Sequence, residues 1–304
     1  MSCLFECAAL GRAAWEVWSH DQTASVIGVT SRGLFIRAPR RVIFVSFETF
    51  CGPLTATLHP PFDQLHALQL NAPAHFSGGR LIFPSIEVAI QASPAKVWRY
   101  PSPRTNARTV EAQLDNVRQI AGGVIAYGRA EGFSTVLPAL LGLPIHDLLA
   151  LDQLTLLDNL FALRQARAAR NIPQMIEYIT GLLGRGHGLT PSGDDCVLGL
   201  LLMLNRWHIG GDWHELNQRV IEAAYQQTTL LSANLIECAA EGQADERLMK
   251  VVDGIVTGTP SIDECVDCVL GWGNSSGTDA LVGMAVALTT RVQPRRPLRT
   301  RRKT

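Results

Sequence analysis

Two short segments of this chain share the pattern Ser-Gly-x-Asp-x-x-apolar-Gly, and this repetition constrains the fold more than any other feature of the sequence. The first copy begins at Ser192, and the second begins 84 residues later at Ser276. Each copy leads into an apolar run that carries a glycine, Gly199 in the first and Gly283 in the second. A Ser-x-x-Asp pattern before an apolar run is typical of a capping box at the start of a helix. The two copies therefore predict two related helices.

The glycines inside the predicted helices indicate how these helices pack. A glycine in a helix interior costs roughly 1 kcal/mol relative to alanine. Close approach between helices is the usual compensation, because glycine has no Cβ atom. We therefore predict that the helices cross near Gly199 and Gly283 and that both N-termini point at one region. In this interpretation Asp195 and Asp279 cap their own helices.

The loop before the first copy has the composition of a ligand-binding loop. Glycines at alternate positions, Gly184, Gly186 and Gly188, permit positive φ angles and a close approach of the backbone to a ligand. Between them, Arg185 and His187 are suited to binding an anion or polarising a carbonyl group. Free backbone N–H groups at a helix start also favour an anion. The loop therefore predicts a site for a small anion.

The candidate site combines both glycine-rich loops with one later helix. The predicted catalytic residues are Arg185, His187 and Asp194. The predicted substrate-binding residues are Gly188, Thr190, Ser192, Gly193, Asp195, Ser232, Asn274, Ser275, Ser276, Gly277, Thr278 and Asp279. Ser232 enters this set because it follows Thr229 by three residues in a predicted helix over 213–241, so that both hydroxyl groups face one side. The alternative is that each hydroxyl bonds to a carbonyl of its own helix.

The adjacent carboxylates of the first copy admit two kinds of chemistry. Asp194 is expected to be freer for a ligand than Asp195, which we assign to the helix cap. Asp194 and Asp195 together could hold Mg²⁺ through oxygen ligands. Alternatively, one aspartate acts as a general base while the cap holds the other. The first alternative makes Mg²⁺ a candidate cofactor, and the second needs none.

The distribution of residue types predicts an α+β chain. Short β-branched and aromatic runs separated by Gly and Pro indicate a mostly antiparallel barrel or sandwich over residues 20–100, preceded by a first segment of mixed character. Apolar spacing with a helical period follows over residues 105–291. We predict a β-rich N-terminal domain (1–104), a helical domain with both glycine-rich loops (105–291) and a basic disordered tail (292–304).

Charge and cysteine content exclude several classes of protein. The formal net charge is zero, and the last 14 residues hold seven basic and no acidic residues, so a globally basic nucleic-acid binder is not expected. The seven cysteines lack the density of a disulfide scaffold. Apolar runs are too short to span a bilayer or are interrupted by glycine, and no signal peptide is expected. These features predict a cytoplasmic protein without nucleic-acid or membrane partners.

Three motifs together resemble the AllH-like family. They are the stretch from Gly184 to Asp195, the Thr229…Ser232-Ala233 segment, and the stretch from Gly273 to Asp279. The order of a β-rich part followed by a helical part is similar over residues 20–290. The resemblance implies a subunit of oxamate carbamoyltransferase, which interconverts oxalurate and phosphate with oxamate and carbamoyl phosphate in anaerobic allantoin and purine nitrogen use.

The same resemblance implies companion subunits, one of them similar to the succinyl-CoA synthetase α chain. The expected ligand is a small anion: phosphate, carbamoyl phosphate, oxamate or oxalurate. This chain lacks the Ser-Thr-Arg-Thr type phosphate loop of ordinary carbamoyltransferases, so its chemistry would use a different site. Two alternatives stay open. One is a non-catalytic scaffold or ligand-sensing subunit, and the other is a Mg²⁺-dependent hydrolase.

Overall fold

The computed structural model describes residues 3–103, 107–128, 131–145 and 148–288. An eight-stranded β-barrel forms the N-terminal part, and helices follow it, which confirms the predicted α+β class and the mostly antiparallel barrel. The predicted basic tail, residues 292–304, lies outside the described residues. Two separate hydrophobic cores fill the barrel and the helical region. The division into domains at residue 104 stays a prediction.

The barrel closes because its first strand pairs both with the eighth strand and with the fifth, which lies at the opposite end of the sheet. The strands are β1 (Cys3–Gly11), β2 (Gln22–Thr30), β3 (Gly33–Arg37), β4 (Val42–Ser46), β5 (Thr55–Leu58), β6 (Pro73–Ser77), β7 (Arg80–Phe83), β8 (Val88–Gln91) and β9 (Val97–Trp98). Their order is β5-β4-β3-β2-β6-β7-β8-β1-β9, and an antiparallel β1–β5 pairing joins the ends of the eight-strand ring. Short 3-10 turns connect some of them at Leu65–Ala67, Pro84–Ile86 and Pro94–Lys96.

The first twenty residues contribute more to the barrel than their mixed pattern predicts. β1 pairs in parallel with β8 and β9 and antiparallel with β5. Helix α1 (Arg12–Trp18) follows directly and buries Trp18 in the barrel core. The β1–β5 register shifts between Cys7 and Ala9, and burial along β1 does not follow one simple alternation.

The second part of the chain is helical, as predicted for residues 105–291. Its helices are α2 (Val110–Tyr127), α3 (Leu137–Leu141), α4 (Leu151–Ala168), α5 (Ile172–Thr180), α6 (Ser192–Arg206), α7 (His214–Gln227), α8 (Leu230–Ala240), α9 (Glu246–Thr257), α10 (Ile262–Gly271) and α11 (Ser276–Ala287), with a 3-10 turn at Gly132–Val136. No described helix is long and apolar enough to cross a membrane.

The single helix predicted over 213–241 is wrong, because the chain breaks at Thr228 and Thr229. Thr229 is the N-cap of α8, and its hydroxyl oxygen accepts a hydrogen bond from the Ser232 N–H at 3.1 Å. The same hydroxyl donates to the carbonyl of Leu189 at 2.7 Å. Thr229 thus starts a new helix and holds the end of the first glycine-rich loop, which neither of our two interpretations of its hydroxyl anticipated.

The two repeat helices cross at their glycines, which confirms the predicted packing. A Cβ atom built on Gly199 of α6 would lie 1.9 Å from the carbonyl oxygen of Ala280 in α11. Reciprocally, a Cβ atom on Gly283 would lie 1.8 Å from the carbonyl oxygen of Cys196. Each pair is related to the other by the same 84-residue offset, so the crossing is a local pseudo-twofold arrangement.

Polar contacts join the barrel to the helical region. Asn234 of α8 is fully buried, and its side chain accepts a hydrogen bond from the Val42 N–H at 2.8 Å and donates to the Arg40 carbonyl at 3.2 Å. Beside it, Arg41 forms an ion pair with Glu237. These bonds tie the β3–β4 turn of the barrel to α8 and fix the walls between which the candidate site lies.

Candidate functional site

The serines and aspartates of the two repeats form reciprocal pairs between the crossing helices. The hydroxyl of Ser276 in α11 hydrogen-bonds to Asp195 in α6, and the hydroxyl of Ser192 in α6 hydrogen-bonds to Asp279 in α11. The helices begin at the serines themselves, and neither helix has a side-chain hydrogen bond at its N-cap. The predicted capping box is therefore wrong. The Ser-x-x-Asp spacing instead places each acid beside the serine of the other helix.

Asp194 supports the first glycine-rich loop and is not the freer carboxylate that we predicted. Its Oδ1 atom accepts a hydrogen bond from the Gly184 N–H at 2.8 Å. Its Oδ2 atom accepts one from the hydroxyl of Thr228 at the end of α7. Only 1% of Asp194 is exposed, so this side chain ties the loop to two helices from a buried position.

The backbone N–H groups that we assigned to the anion already have partners. The Gly193 N–H donates to the Arg185 carbonyl at 2.8 Å, and the Gly277 N–H donates to the Trp272 carbonyl at 2.9 Å. Both glycines are needed for close packing, because a Cβ atom on either would lie 2.0 Å from a carbonyl oxygen, that of Leu182 or Val269. Gly193 and Gly277 therefore shape the two loops, and a ligand must use other donors.

A cleft of about 440 Å³ opens between the barrel and the helical region, and we call it the junction cleft. Both predicted loops reach it, since Leu189, Thr190, Gly273, Asn274 and Ser276 lie in its wall. The hydroxyl oxygens of Thr190 and Ser276 are 3.3 Å apart, so the two loops meet at this wall. The prediction that both loops face one cleft is correct for these residues.

The barrel supplies the rest of the wall, including a cation that the sequence did not single out. Arg32, in the β2–β3 turn, has 49% of its side chain exposed and donates from Nη1 to the Gly271 carbonyl at 3.0 Å. Its Nε atom lies 3.8 Å from Glu48. Aromatic and aliphatic side chains cover much of the remaining surface, among them Phe35, Phe44, Leu231, Leu235 and Trp272.

A second arginine of the wall, Arg247, is held in place by its neighbours. Its guanidinium makes two hydrogen bonds to Asp245, at 2.8 and 2.9 Å, and a third to the Gly271 carbonyl at 2.8 Å. It also lies over the ring of Phe50. Because its buried guanidinium is engaged by Asp245, the Gly271 carbonyl and Glu48, Arg247 fixes the end of α10. The half-exposed Arg32 is the more accessible of the two cations.

The structure does not bring Arg185 and His187 to the junction cleft. Both lie in the exposed part of the first loop, where Gly184, Gly186 and Gly188 have the positive φ angles that the sequence predicts. Among the described residues, no side-chain hydrogen bond or ion pair engages either group. They remain solvent-facing groups beside the start of α6.

The other predicted site residues are divided between the wall and the interior. Asn274 is exposed, and its amide lies 3.5 Å from Glu131. Ser275 hydrogen-bonds to Asp279 behind the wall. Thr278 and Ser232 are buried, and Ser232 Oγ has no hydrogen-bond partner among the described residues.

Burial makes Asp195 and Asp279 unusual acids. Only 1% of Asp195 and none of Asp279 is exposed. Desolvation raises the pKa of Asp195 well above its ordinary value, and the nearby charges of Asp279 and Asp194 act in the same direction. Desolvation also raises the pKa of Asp279 to about 6, against the opposing effect of several hydrogen bonds. Within the described part of the chain, the Oδ2 atom of each acid is buried without a hydrogen-bond partner.

The residues described here include no ready-made metal centre. Across residues 3–103, 107–128, 131–145 and 148–288, no three or more His, Cys, Asp or Glu side chains are grouped so that they could hold a metal ion. Both oxygens of Asp194 are engaged by protein donors. Among the described residues, the structure therefore offers no set of ligands that supports the proposed binding of Mg²⁺ by Asp194 and Asp195.

Comparison with known proteins bears on the helical region. Residues 182–288 match the model of a family described as oxamate carbamoyltransferase subunit AllH. No solved structure matches the chain significantly. The matched segment begins just before the first glycine-rich loop and ends just after α11. It includes both repeats and the helices between them, and it agrees with the resemblance drawn from the motifs. Residues 182–288, which carry the crossed Ser–Asp pairs and one wall of the junction cleft, are similar to the AllH family.

Proposed function

We propose that this chain is a substrate-binding subunit of an oxamate carbamoyltransferase and that the junction cleft receives the small anionic substrate. The reaction is the interconversion of oxalurate and phosphate with oxamate and carbamoyl phosphate. Companion subunits, one of them resembling the succinyl-CoA synthetase α chain, complete the enzyme. The family match supports the association with this enzyme, whereas the assignment of the cleft rests on its geometry.

The observation that carries the proposal is the meeting of Thr190 and Ser276 in the cleft wall. These residues come from the two repeats, and their hydroxyl oxygens lie 3.3 Å apart. Two hydroxyl groups side by side offer hydrogen bonds to a carboxylate or phosphate oxygen without adding charge. Asn274, in the same wall, offers an amide that suits the amide end of oxamate or oxalurate.

Arg32 supplies the charge that an anion requires. It is the half-exposed cation of the cleft wall, and its planar guanidinium suits a carboxylate or a phosphate. The opposite charge of Glu48 holds Arg32 at the cleft without burying it. Oxamate and oxalurate are planar, so an aromatic ring of the apolar surface, Phe35 or Phe44, suits the rest of the molecule.

Calorimetric titration of the full-length chain with oxamate, carbamoyl phosphate and inorganic phosphate tests the proposal. A charged hydrogen bond contributes about 1.5–3 kcal/mol, so we expect Arg32→Ala to weaken binding about tenfold or more. Arg185→Ala is the matched control, since it removes an arginine from an exposed loop outside the cleft. We expect this control to change the affinity by less than about twofold, consistent with the small effect of exposed charges.

The outcomes separate the proposal from its alternatives. Equal weakening by both variants would indicate a general charge effect and contradict the cleft assignment. Failure of all three ligands to bind to the wild-type chain would favour the scaffold interpretation. Binding that appears only with Mg²⁺ would favour the hydrolase interpretation.

A further inference from the structure

The two crossed pairs, Ser276–Asp195 and Ser192–Asp279, occupy equivalent positions in the two repeats, but their surroundings differ. Ser276, the partner of Asp195, lies in the wall of the junction cleft together with Thr190. Neither Ser192 nor Asp279 belongs to that wall. One pair therefore faces the space proposed for the substrate, and its twin does not.

The twin pair is covered by the 3-10 turn that begins at Gly132. The N–H of Phe133 donates to Asp279 Oδ1 at 2.7 Å. A Cβ atom on Gly132 would lie 2.6 Å from Ser192 Oγ and 2.7 Å from both carboxylate oxygens of Asp279, so the backbone seals this pair directly. The Ser192–Asp279 pair is therefore a covered, structural copy of the arrangement, and the Ser276–Asp195 pair is the accessible copy.

The number of available protons determines what the accessible copy offers to the cleft. Thr190 and Ser276 each carry one hydroxyl proton, their oxygens hydrogen-bond to each other at 3.3 Å, and both hydroxyls interact with Asp195. An ionised carboxylate only accepts hydrogen bonds, so one proton lies between the two hydroxyls, the other points to Asp195, and only lone pairs face the cleft. A neutral carboxylic acid donates one hydrogen bond of its own, and a hydroxyl proton then becomes available to an anion.

We infer that Asp195 is a positioning residue that sets the hydrogen-bond polarity of the cleft wall through Ser276 and Thr190. Its neutral form turns a hydroxyl donor toward the bound anion, so the anion binds together with one proton. The proton resides on Asp195, and no covalent bond forms or breaks. This inference rests on the proposed function of the junction cleft.

The surroundings of Asp195 favour the neutral form that this role needs. The charged groups that act on it are Asp194 on its own helix and Asp279 on the crossing helix, and both oppose its ionisation. The hydroxyl hydrogen bonds favour ionisation, but burial acts in the opposite direction and is the larger effect. Among the described residues, no Lys, Arg or His forms an ion pair with it. Asp195 therefore has no cation that would hold it charged.

Calorimetry of oxamate binding between pH 5.5 and 9.5, in buffers of different ionisation enthalpy, tests the inference. Oxamate suits this range because inorganic phosphate itself changes charge within it. For wild-type protein we expect uptake of up to one proton per bound oxamate. We also expect the affinity to fall as pH rises through the pKa of Asp195, approaching about tenfold per pH unit. Asp195→Asn supplies a permanent N–H donor and should bind with no proton uptake.

The pseudo-twofold repeat provides matched controls. Asp279→Asn should keep the proton uptake. Because it removes a charge that raises the pKa of Asp195, the fall in oxamate affinity should move to lower pH in this variant. If Asp195→Asn fails to fold, Ser276→Ala takes its place. It should weaken oxamate binding and reduce proton uptake, whereas Ser192→Ala should do neither.

The results distinguish the inferred role of Asp195 from the proposed function of the junction cleft. Oxamate binding by wild-type protein that is independent of pH and takes up no proton would overturn the inference and leave the proposed function intact. Loss of proton uptake in Asp279→Asn to the same extent as in Asp195→Asn would also overturn it. No binding at any pH would overturn both claims.

Discussion

Gly199 packs directly against the backbone of Ala280, with no room for a side chain between the two helices. A Cβ atom at position 199 would lie 1.9 Å from the carbonyl oxygen of Ala280. A backbone carbonyl in a helix cannot move aside as a flexible side chain can. The relative position of α6 and α11, and with it the pairing of Ser276 with Asp195, therefore depends on this glycine.

We predict that Gly199→Ala lowers the free energy of unfolding by about 3 kcal/mol, at the upper end of typical overpacking costs. Gly122→Ala is the control, because Gly122 lies in helix α2 with nothing within 4 Å of its added Cβ atom. This control should stabilise the protein by up to about 1 kcal/mol. Urea unfolding of both variants measures the difference, and a loss of less than about 1 kcal/mol in Gly199→Ala would contradict the close crossing.

Gly132 should tolerate alanine less well than another glycine with a similar backbone. Gly132 and Gly142 have φ angles of +61° and +71°. The first lies against Ser192 and Asp279, and the second has no atom within 4 Å of an added Cβ. Both alanine variants bear the cost of a left-handed conformation, about 1–2 kcal/mol. Gly132→Ala should lose about 1–3 kcal/mol more unfolding free energy than Gly142→Ala. Equal melting temperatures for the two variants would contradict the close packing of Gly132 against Ser192 and Asp279.

Asp194 should contribute to stability through the two partners that it joins. Asp194→Ala leaves the Gly184 N–H and the Thr228 hydroxyl without their acceptor. We expect a loss of about 2–4 kcal/mol in unfolding free energy. A double-mutant cycle with Thr228→Val should give a coupling of about 1–2 kcal/mol. Additive effects of the two substitutions would show that the hydrogen bond between them is unimportant.

The stability of the protein should depend on pH through Asp279 in the opposite sense to ordinary acid unfolding. The pKa of Asp279 is about 6 in the folded protein, above the ordinary value of 3.8. The folded state therefore binds more protons than the unfolded state between about pH 4 and 6, and stability falls as pH rises through this window. At 1.36 kcal/mol per pKa unit, the titration of Asp279 lowers the free energy of unfolding by about 3 kcal/mol across this window.

Asp279→Asn removes this contribution and tests it. The unfolding free energy of the variant relative to wild type should rise by about 2–3 kcal/mol between pH 4 and 7. Asp115→Asn, on the surface of α2, serves as a control for the loss of a carboxylate. A difference between Asp279→Asn and wild type that does not change with pH would contradict the raised pKa.

The sequence predicted the repeat helices well because local and tertiary signals agreed there. The 84-residue offset, the apolar runs and the helix-interior glycines all indicated two crossing helices. The prediction that Asp195 and Asp279 cap their own helices is wrong, since Ser-x-x-Asp spacing within one helix resembles a capping box. Only the crossing reveals that each serine reaches the acid of the other helix.

Other parts of the site arise from contacts between segments that are distant in sequence, and no local sequence pattern predicts them. Arg32 lies in an ordinary turn between two strands, and its position at the cleft follows from how the barrel docks against α10. The break at Thr228 and Thr229 interrupts a continuous helical pattern, because Asp194 and Leu189 hold these hydroxyls from elsewhere in the chain. The first twenty residues were predicted only as a helix or strand of mixed character, because the register shift between Cys7 and Ala9 interrupts the alternation along β1.

The location of bound oxamate tests the central claim most directly. A crystal structure of the full-length chain with oxamate should show the ligand in the junction cleft, with its carboxylate at Arg32 and its other end within hydrogen-bond distance of Ser276 or Thr190. Crystals of Arg32→Ala prepared at the same oxamate concentration should show a lower occupancy of the ligand. Oxamate bound instead at the exposed loop beside Arg185 and His187, with an empty junction cleft, would contradict the account.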